Sequence, residues 1–218
     1  MKQIKLYLCL IAFLIGVLSS CQDRVVGNGP VVSDSRSVDS FTAIESSLPG
    51  NIFISQDSEQ TLRIETNENV LDLVETVVVN GTLQLRLTSN VNLNVRTLNV
   101  YISAADYERI RLSGAANLSS DNCLTLDELD LRISGAGNAT LCGEANRLTV
   151  NISGAGNFGD YNFTVQDVQA TISGAGNFRV TAEQTLDVNI SGAGSVFYRG
   201  NPEISSNISG AGALVNAN

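Results

Sequence analysis

Six copies of one short phrase run down the second half of this 218-residue chain: LSGAAN at Leu112, ISGAGN at Ile133, Ile152 and Ile172, ISGAGS at Ile190, and ISGAGA at Ile208. Their serines (Ser113, Ser134, Ser153, Ser173, Ser191 and Ser209) stand 21, 19, 20, 18 and 18 residues apart. Self-similarity at a period of about 20 residues marks stacked repeats, in which each unit covers the apolar face of its neighbour. Read backwards from each serine, a period of two emerges, as in Leu129-Asp130-Leu131-Arg132-Ile133 and Leu148-Thr149-Val150-Asn151-Ile152. Such alternation describes a half-buried strand and not a helix. A second, shorter strand is expected after each Ser-Gly-Ala-Gly, at Asn157-Phe158 and from Ser195 to Tyr198. Eleven of the 19 glycines fall inside the six phrases, so glycine here marks defined corners and not a flexible linker. It serves a corner by tolerating positive φ or by letting backbones approach closely. The pattern predicts an all-β chain: a β-solenoid of the parallel β-helix kind with glycine-rich corners. Ser134, Ser153 and Ser173 should stack, as should Asn117, Asn138, Asn157 and Asn177, and stacked amides can hydrogen-bond along the ladder.

Residues 37–110 read as the start of the stack with an N-terminal β cap. Phe41-Thr42-Ala43-Ile44, Asn51-Ile52-Phe53-Ile54-Ser55 and Leu62-Arg63-Ile64-Glu65 all alternate. Asn80-Gly81, between Val77-Val78-Val79 and Leu83-Gln84-Leu85-Arg86-Leu87, predicts a hairpin. Residues Asn69 to Thr76 hold the one helical candidate outside the leader. No linker interrupts 37–218, which is expected to be one domain.

Residues 1–20 read as a signal peptide. Lys2 and Lys5 give a positive start, and the apolar run from Leu6 to Leu18 is too short to span a bilayer comfortably. Leu18-Ser19-Ser20-Cys21 resembles the lipobox of bacterial lipoproteins, which implies cleavage before Cys21 and acylation of that residue. Residues 21–36 are expected to be a polar tether. This implies an outer membrane lipoprotein held to the membrane by its N-terminal lipid, on the cell surface or the periplasmic face. Both lysines leave with the leader, so the remainder carries 11 arginines against 22 acids, and no histidine. That balance argues against nucleic acid as a partner.

Cys9 also leaves with the leader, and Cys21 is the lipid candidate. The remaining Cys123 and Cys142 each lie ten residues before a repeat isoleucine, Ile133 and Ile152, so they occupy equivalent places in successive repeats. Neighbouring strands lie ~4.8 Å apart, within reach of a disulfide, and an exported compartment permits oxidation. A disulfide and a stacked pair of free thiols both fit. Two cysteines without histidine do not make a usual zinc site.

The run Phe41-Thr42-Ala43-Ile44, then Ile52-Phe53-Ile54-Ser55-Gln56, Thr66-Asn67-Glu68-Asn69 and Asn80-Gly81-Thr82-Leu83, followed by serial Ile-Ser-Gly-Ala-Gly-Asn, resembles the head GIN domain family. This is a family of autotransporter-type adhesins, common among lipoproteins of the Bacteroidetes, and the likeness covers about residues 37–218. It implies a β-helical domain with repeated glycine-rich corners, and brings no established catalytic residues.

The residues point to non-catalytic surface binding, and the resemblance implies an adhesin; an envelope scaffold is equally expected, with a glycan or protein surface as partner and no cofactor. The alternative is a carbohydrate-active enzyme, a polysaccharide lyase or hydrolase, which needs a carboxylate pair or a base with a metal in a groove. The clustered acids are Asp127, Glu128 and Asp130, with Asp106 and Glu108 one repeat earlier and Arg111 and Arg132 nearby; a solvated, cross-paired charged face explains them equally. Turn-bound calcium is disfavoured because the corners carry no carboxylate. Phe158, Tyr161, Phe163, Phe178, Phe197 and Tyr198 follow the corners of the late repeats, either as a core stack or as an exposed binding stripe.

Overall fold

The computed structural model describes residues 24–88 and 91–218. The leader and Cys21 lie outside the described residues. The chain forms strands β1 (Arg24–Val26), β2 (Val31–Ser35), β3 (Ala43–Ser46), β4 (Gly50–Gln56) and β5 (Thr61–Asn67), then one short helix, α1 (Glu68–Leu71). Strands β6 (Val74–Val79), β7 (Thr82–Leu87), β8 (Asn92–Asn94) and β9 (Leu98–Ala104) follow. The repeats supply β10 (Arg109–Leu112), β11 (Ala116–Ser120), β12 (Leu124–Ile133), β13 (Asn138–Thr140), β14 (Gly143–Ile152), β15 (Asn157–Phe158) and β16 (Phe163–Ile172). The last four are β17 (Phe178–Ile190), β18 (Val196–Arg199), β19 (Glu203–Ile208) and β20 (Leu214–Asn216). The fold is all-β: an 18-stranded sheet of mixed orientation, with β1 and β8 as a separate parallel pair.

Across the repeats every pairing is parallel and joins equivalent positions. Ile133 pairs with Ile152, Ile152 with Ile172, Ile172 with Ile190, and Ile190 with Ile208. The shorter strands pair in the same way, β11 with β13, β13 with β15, and β17 with both β15 and β18. Inward positions form columns of aliphatic side chains. Leu129, Leu148, Val168 and Leu186 are buried one above another, as are Ile133, Ile152, Ile172 and Ile190. Each repeat has too little apolar surface to fold alone, and stacking covers both of its open sides.

The corner glycines are needed for proximity. None in the Ser-Gly-Ala-Gly phrases has a positive φ. A Cβ on Gly154 would lie 2.0 Å from the Gly135 carbonyl oxygen, and one on Gly156 2.0 Å from that of Gly137. The corners are themselves hydrogen-bonded from repeat to repeat, with Ala155 N–H donating to Gly135 O at 3.1 Å and Ala175 N–H to Gly154 O at 3.0 Å. A side chain at these positions would force the backbones apart. Just before β12 and β14, Cys123 and Cys142 are joined by a disulfide, with Cα atoms 4.4 Å apart.

The N-terminal part departs from this order. β3 lies between β7 and β10, and β4 between β9 and β11, so the first segment of the stack is wedged between two later ones. Antiparallel strands continue both sheet columns outward: β6 on β7, and β5 on β9 with β2 beyond it. The Asn80-Gly81 hairpin forms at the expected place, with Val79 opposite Thr82. The helical candidate is only α1, since β6 begins at Val74. Residues 24–35, expected within the tether, instead hold β1 and β2. The reason is edge satisfaction: β2 pairs antiparallel with β5 over Val31–Ser35, supplying partners to an otherwise open strand. Arg36 then ties the two columns together. It donates to Val74 O at 2.5 Å, Leu71 O at 3.1 Å and Thr76 Oγ1 at 3.1 Å, and pairs with Asp34 at 2.9 Å.

Candidate functional site

Three outward features carry the polar chemistry. The first is the expected acid cluster. Asp106, Glu108, Asp127, Glu128 and Asp130 line one open depression of about 420 Å³, together with Arg109, Arg147 and Thr149. Parallel register explains the gathering, since Asp130 lies beside Arg109 on one side and Thr149 on the other, and Glu128 beside Arg147. The acids are engaged. Glu128 pairs with Arg147, Asp130 with Arg132 at 3.1 Å, and Asp127 accepts from Asn146 at 2.7 Å. Glu108 accepts from Thr42 at 3.1 Å and Asp106 from the Tyr107 N–H at 2.8 Å. Arg111 lies in register between Glu45 and Arg132, outside this depression. No group of three or more metal-ligating side chains is assembled among the described residues.

The second feature is an asparagine ladder. Asn138 Nδ2 donates to Asn117 Oδ1 at 3.1 Å, Asn157 to Asn138 at 2.9 Å, and Asn177 to Asn157 at 3.2 Å. The backbone N–H groups of Asn157, Asn177 and Ser195 donate from the next repeat to the side-chain oxygens of Asn138, Asn157 and Asn177. The ladder extends past the repeats to Asn51 and Asn99. Sequence reasoning missed these two because neither sits in a Ser-Gly-Ala-Gly phrase. The serines of the corners are exposed in a row, and the bonds at these corners run mainly through the backbone, as from Ser153 N–H to Ile133 O at 3.0 Å, with Ser113 Oγ also donating to Ser46 O at 3.2 Å.

Aromatic rings form the third feature, and the structure divides them. Phe158, Phe163 and Phe178 are buried, Phe158 stacked on Phe178 at 5.5 Å and meeting Phe163 edge-on at 6.4 Å. Tyr198 also faces inward. Phe197 and Tyr161 are half-buried under Arg179 and Arg199, whose guanidinium carbons lie 5.1 and 4.1 Å from the ring centres. A further outward stack was not read from the sequence: Phe53 lies on Tyr101 at 4.9 Å, with Arg63 over Tyr101 at 3.8 Å. Its residues are 48 apart in sequence and meet only because β4 pairs with β9. The outward alternation of Asn51 and Phe53 on β4 was the available signal.

Among the described residues no helix is long and apolar enough to cross a membrane. These features define an all-β repeat protein whose outward faces are ladders of polar and aromatic side chains. The family model "Putative auto-transporter adhesin, head GIN domain" matches residues 40–202, and the chain belongs to this family. Solved structures share the fold. A "putative adhesin" from Bacteroides fragilis has a TM-score of 0.73 at 23% identity, covering 88% of this chain and 99% of that one. A "putative adhesin" from Parabacteroides merdae has a TM-score of 0.56 at 18% identity, covering 90% and 100%. A "putative lipid binding protein" from Parabacteroides distasonis has a TM-score of 0.53 at 19% identity, again covering 90% and 100%. No curated protein matches the chain.

Proposed function

We propose that this chain is a lipid-anchored β-solenoid of the bacterial cell envelope that acts by surface contact, as an adhesin, without turnover. The observation that carries the reading is the repeat-by-repeat parallel pairing, which sets equivalent outward positions in rows on a stiff face, with the asparagine ladder as one such row. Rows of that kind suit extended contact, as in other repeat proteins. Family membership supports the adhesive role. The antiparallel strands at the N-terminal end act as the cap of the solenoid.

The anchor rests on Leu18-Ser19-Ser20-Cys21, with Cys21 as the acylated residue. Residues 1–20 are the cleaved signal, and the folded domain begins close behind the lipid, leaving a short tether. Several acyl chains on one residue hold a protein stably where one chain binds only marginally. The enzymatic reading has less support, because the acids it would use are paired and the exported chain has neither histidine nor lysine to act as a base or proton shuttle.

Protease shaving of intact cells that display a C-terminally tagged chain tests both halves. Surface adhesion predicts loss of the tag from intact cells, and anchoring predicts that Cys21→Ala no longer fractionates with membranes. A tag that survives until the outer membrane is permeabilised rules out adhesion and leaves a periplasmic scaffold.

A further inference from the structure

Beside the asparagine ladder, the outward positions two residues further on form their own column. Register runs from Tyr101 to Phe53, from Phe53 to Ser119, and from Ser119 to Thr140. Gly159 follows, because Ala139 pairs with Phe158, then Arg179, because Phe158 pairs with Phe178; Phe197 pairs with Arg179. Large side chains stand at both ends and none in the middle. The gap is built in: Gly159 has φ +109°, and a Cβ there would lie 1.8 Å from the Arg179 carbonyl oxygen. The result is an open depression of about 400 Å³ whose lining includes Asn138, Thr140, Asn157, Gly159, Asn177 and Arg179.

The depression and the column leading from it to Phe53 present chemistry that the fold does not use. The Phe53 ring is stacked on Tyr101, and on the opposite side of its strand Phe53 stands in register with the small side chain of Ser119. Each ladder amide donates one of its two N–H bonds to its neighbour, leaving a second outward donor on Asn117, Asn138, Asn157 and Asn177. Arg179 makes no ion pair among the described residues and is braced by the Phe197 ring. From Phe53 to Arg179 is four strand spacings, about 19 Å at the usual strand separation.

We propose that this column binds a neutral oligosaccharide laid across the strands, with its hydroxyls on the asparagine amides and Arg179 in the depression and one sugar ring beyond it, against Phe53. The proposal rests on the adhesive reading above and names its ligand class. A peptide strand is disfavoured, since the backbone groups of this face are paired with neighbouring strands and offer no edge to extend. An acidic glycan is disfavoured by the charge of the chain, −9 overall. A neutral chain of hydroxyls matches a row of donors beside an aromatic face.

Calorimetric titration of the full-length protein in detergent micelles tests this, with hexaoses of β-linked glucose, mannose and N-acetylglucosamine as probes and hexagalacturonate as the acidic counterpart. At least one neutral hexaose is expected to bind with a millimolar or tighter Kd. Thr140→Trp, which fills the depression from an exposed position, should weaken it at least tenfold with an unchanged melting temperature, and Phe53→Leu should weaken it less. Absence of binding by all three neutral hexaoses, equal binding by Thr140→Trp, or tighter binding of hexagalacturonate overturns the proposal. Cell attachment separates this from the parent reading. Cells bearing Thr140→Trp that attach as well as wild type refute the glycan site and leave adhesion standing. Cells that attach no better than a deletion strain refute adhesion, while the titration still decides the site.

Discussion

The two ends of the stack solve the same problem differently. At the N-terminal end, antiparallel strands extend both sheet columns, and Arg36 bridges them through Val74, Leu71 and Thr76. At the C-terminal end of the described residues the pairing is still parallel, at β19 and β20. Leu186 and Ile190 are fully buried, whereas their partners Ile204 and Ile208 on β19 are 41% and 40% exposed. Aliphatic side chains in the same register are core or surface according to whether another repeat lies above them. Parallel stacking is self-propagating and has no stop of its own; a change of strand direction provides one.

The contrast extends to what each glycine does. In the repeats a Cβ on Gly174 would lie 1.9 Å from Gly154 O, in backbone that is hydrogen-bonded on both sides. Gly81 in the N-terminal hairpin has φ +70° and nothing within 4 Å of the added atom. Gly174→Val is therefore expected to cost more than about 4 kcal/mol, enough to lose the folded protein. Gly81→Ala should cost only about 1–2 kcal/mol, the conformational penalty alone. Urea denaturation of both variants checks the pair; equal effects would break the distinction between proximity and φ.

Next in size is the disulfide, which joins two repeats and has no counterpart in the N-terminal part of the described residues. Cys142→Ala should lower stability by about 3 kcal/mol in the loop-entropy account, given a sequence separation of 19. A reduced wild type should match the variant in its denaturation midpoint.

Removing the clasp should cost less. Arg36→Ala takes away charge-assisted bonds to two carbonyls, an effect of about 2 kcal/mol, and should speed amide exchange in β2 and β6 before any repeat is affected. The matching change on β19, Ile204→Lys, should cost less still, about 1 kcal/mol or below, because its side chain is already 41% exposed. Faster exchange throughout the repeats in Arg36→Ala would mean that the two ends are not independent.

The smallest expected effect lies on the hairpin. Arg86 grips Glu75 with two hydrogen bonds, at 2.8 and 3.1 Å, and holds its carboxyl below the ordinary carboxylate range. A carboxyl with a lowered folded pKa adds stability above its unfolded pKa and loses it as pH falls through the folded value. Glu75→Gln should thus melt slightly earlier than wild type at pH 7, by a margin that shrinks as pH falls below the ordinary carboxylate range. Tyr107 has the opposite sense. Burial raises its phenol above the usual value while its hydroxyl donates to Ser55 O and Ile102 O, so stability should fall once pH rises past the ordinary tyrosine range.

The candidate site shows how far a linear reading reaches. The acid cluster was legible because Asp106, Glu108, Asp127, Glu128 and Asp130 sit at one repeat spacing, and the period alone places them side by side. Their neutralisation was only half legible: Arg132 was foreseen nearby, while Arg147 and Asn146 come from the following repeat. The Phe158–Phe178 stack followed from the period as well. The Phe53–Tyr101 stack did not, since these residues share no repeated phrase.

By itself the sequence determined the all-β character, the register of the repeats, the corners and the hairpin at Asn80-Gly81. These depend on local alternation and on a phrase whose copies pair with one another about 20 residues apart, so neighbours in space are recognisable neighbours in sequence. Only the tertiary structure decided that β3 and β4 are wedged between later strands, that residues 24–35 join the sheet, and that Arg36 closes one end while β19 stays open. Those contacts span 28 to 66 residues without a shared motif. They are selected by which strand edges and apolar faces remain uncovered once the repeats have stacked, a property of the assembled surface.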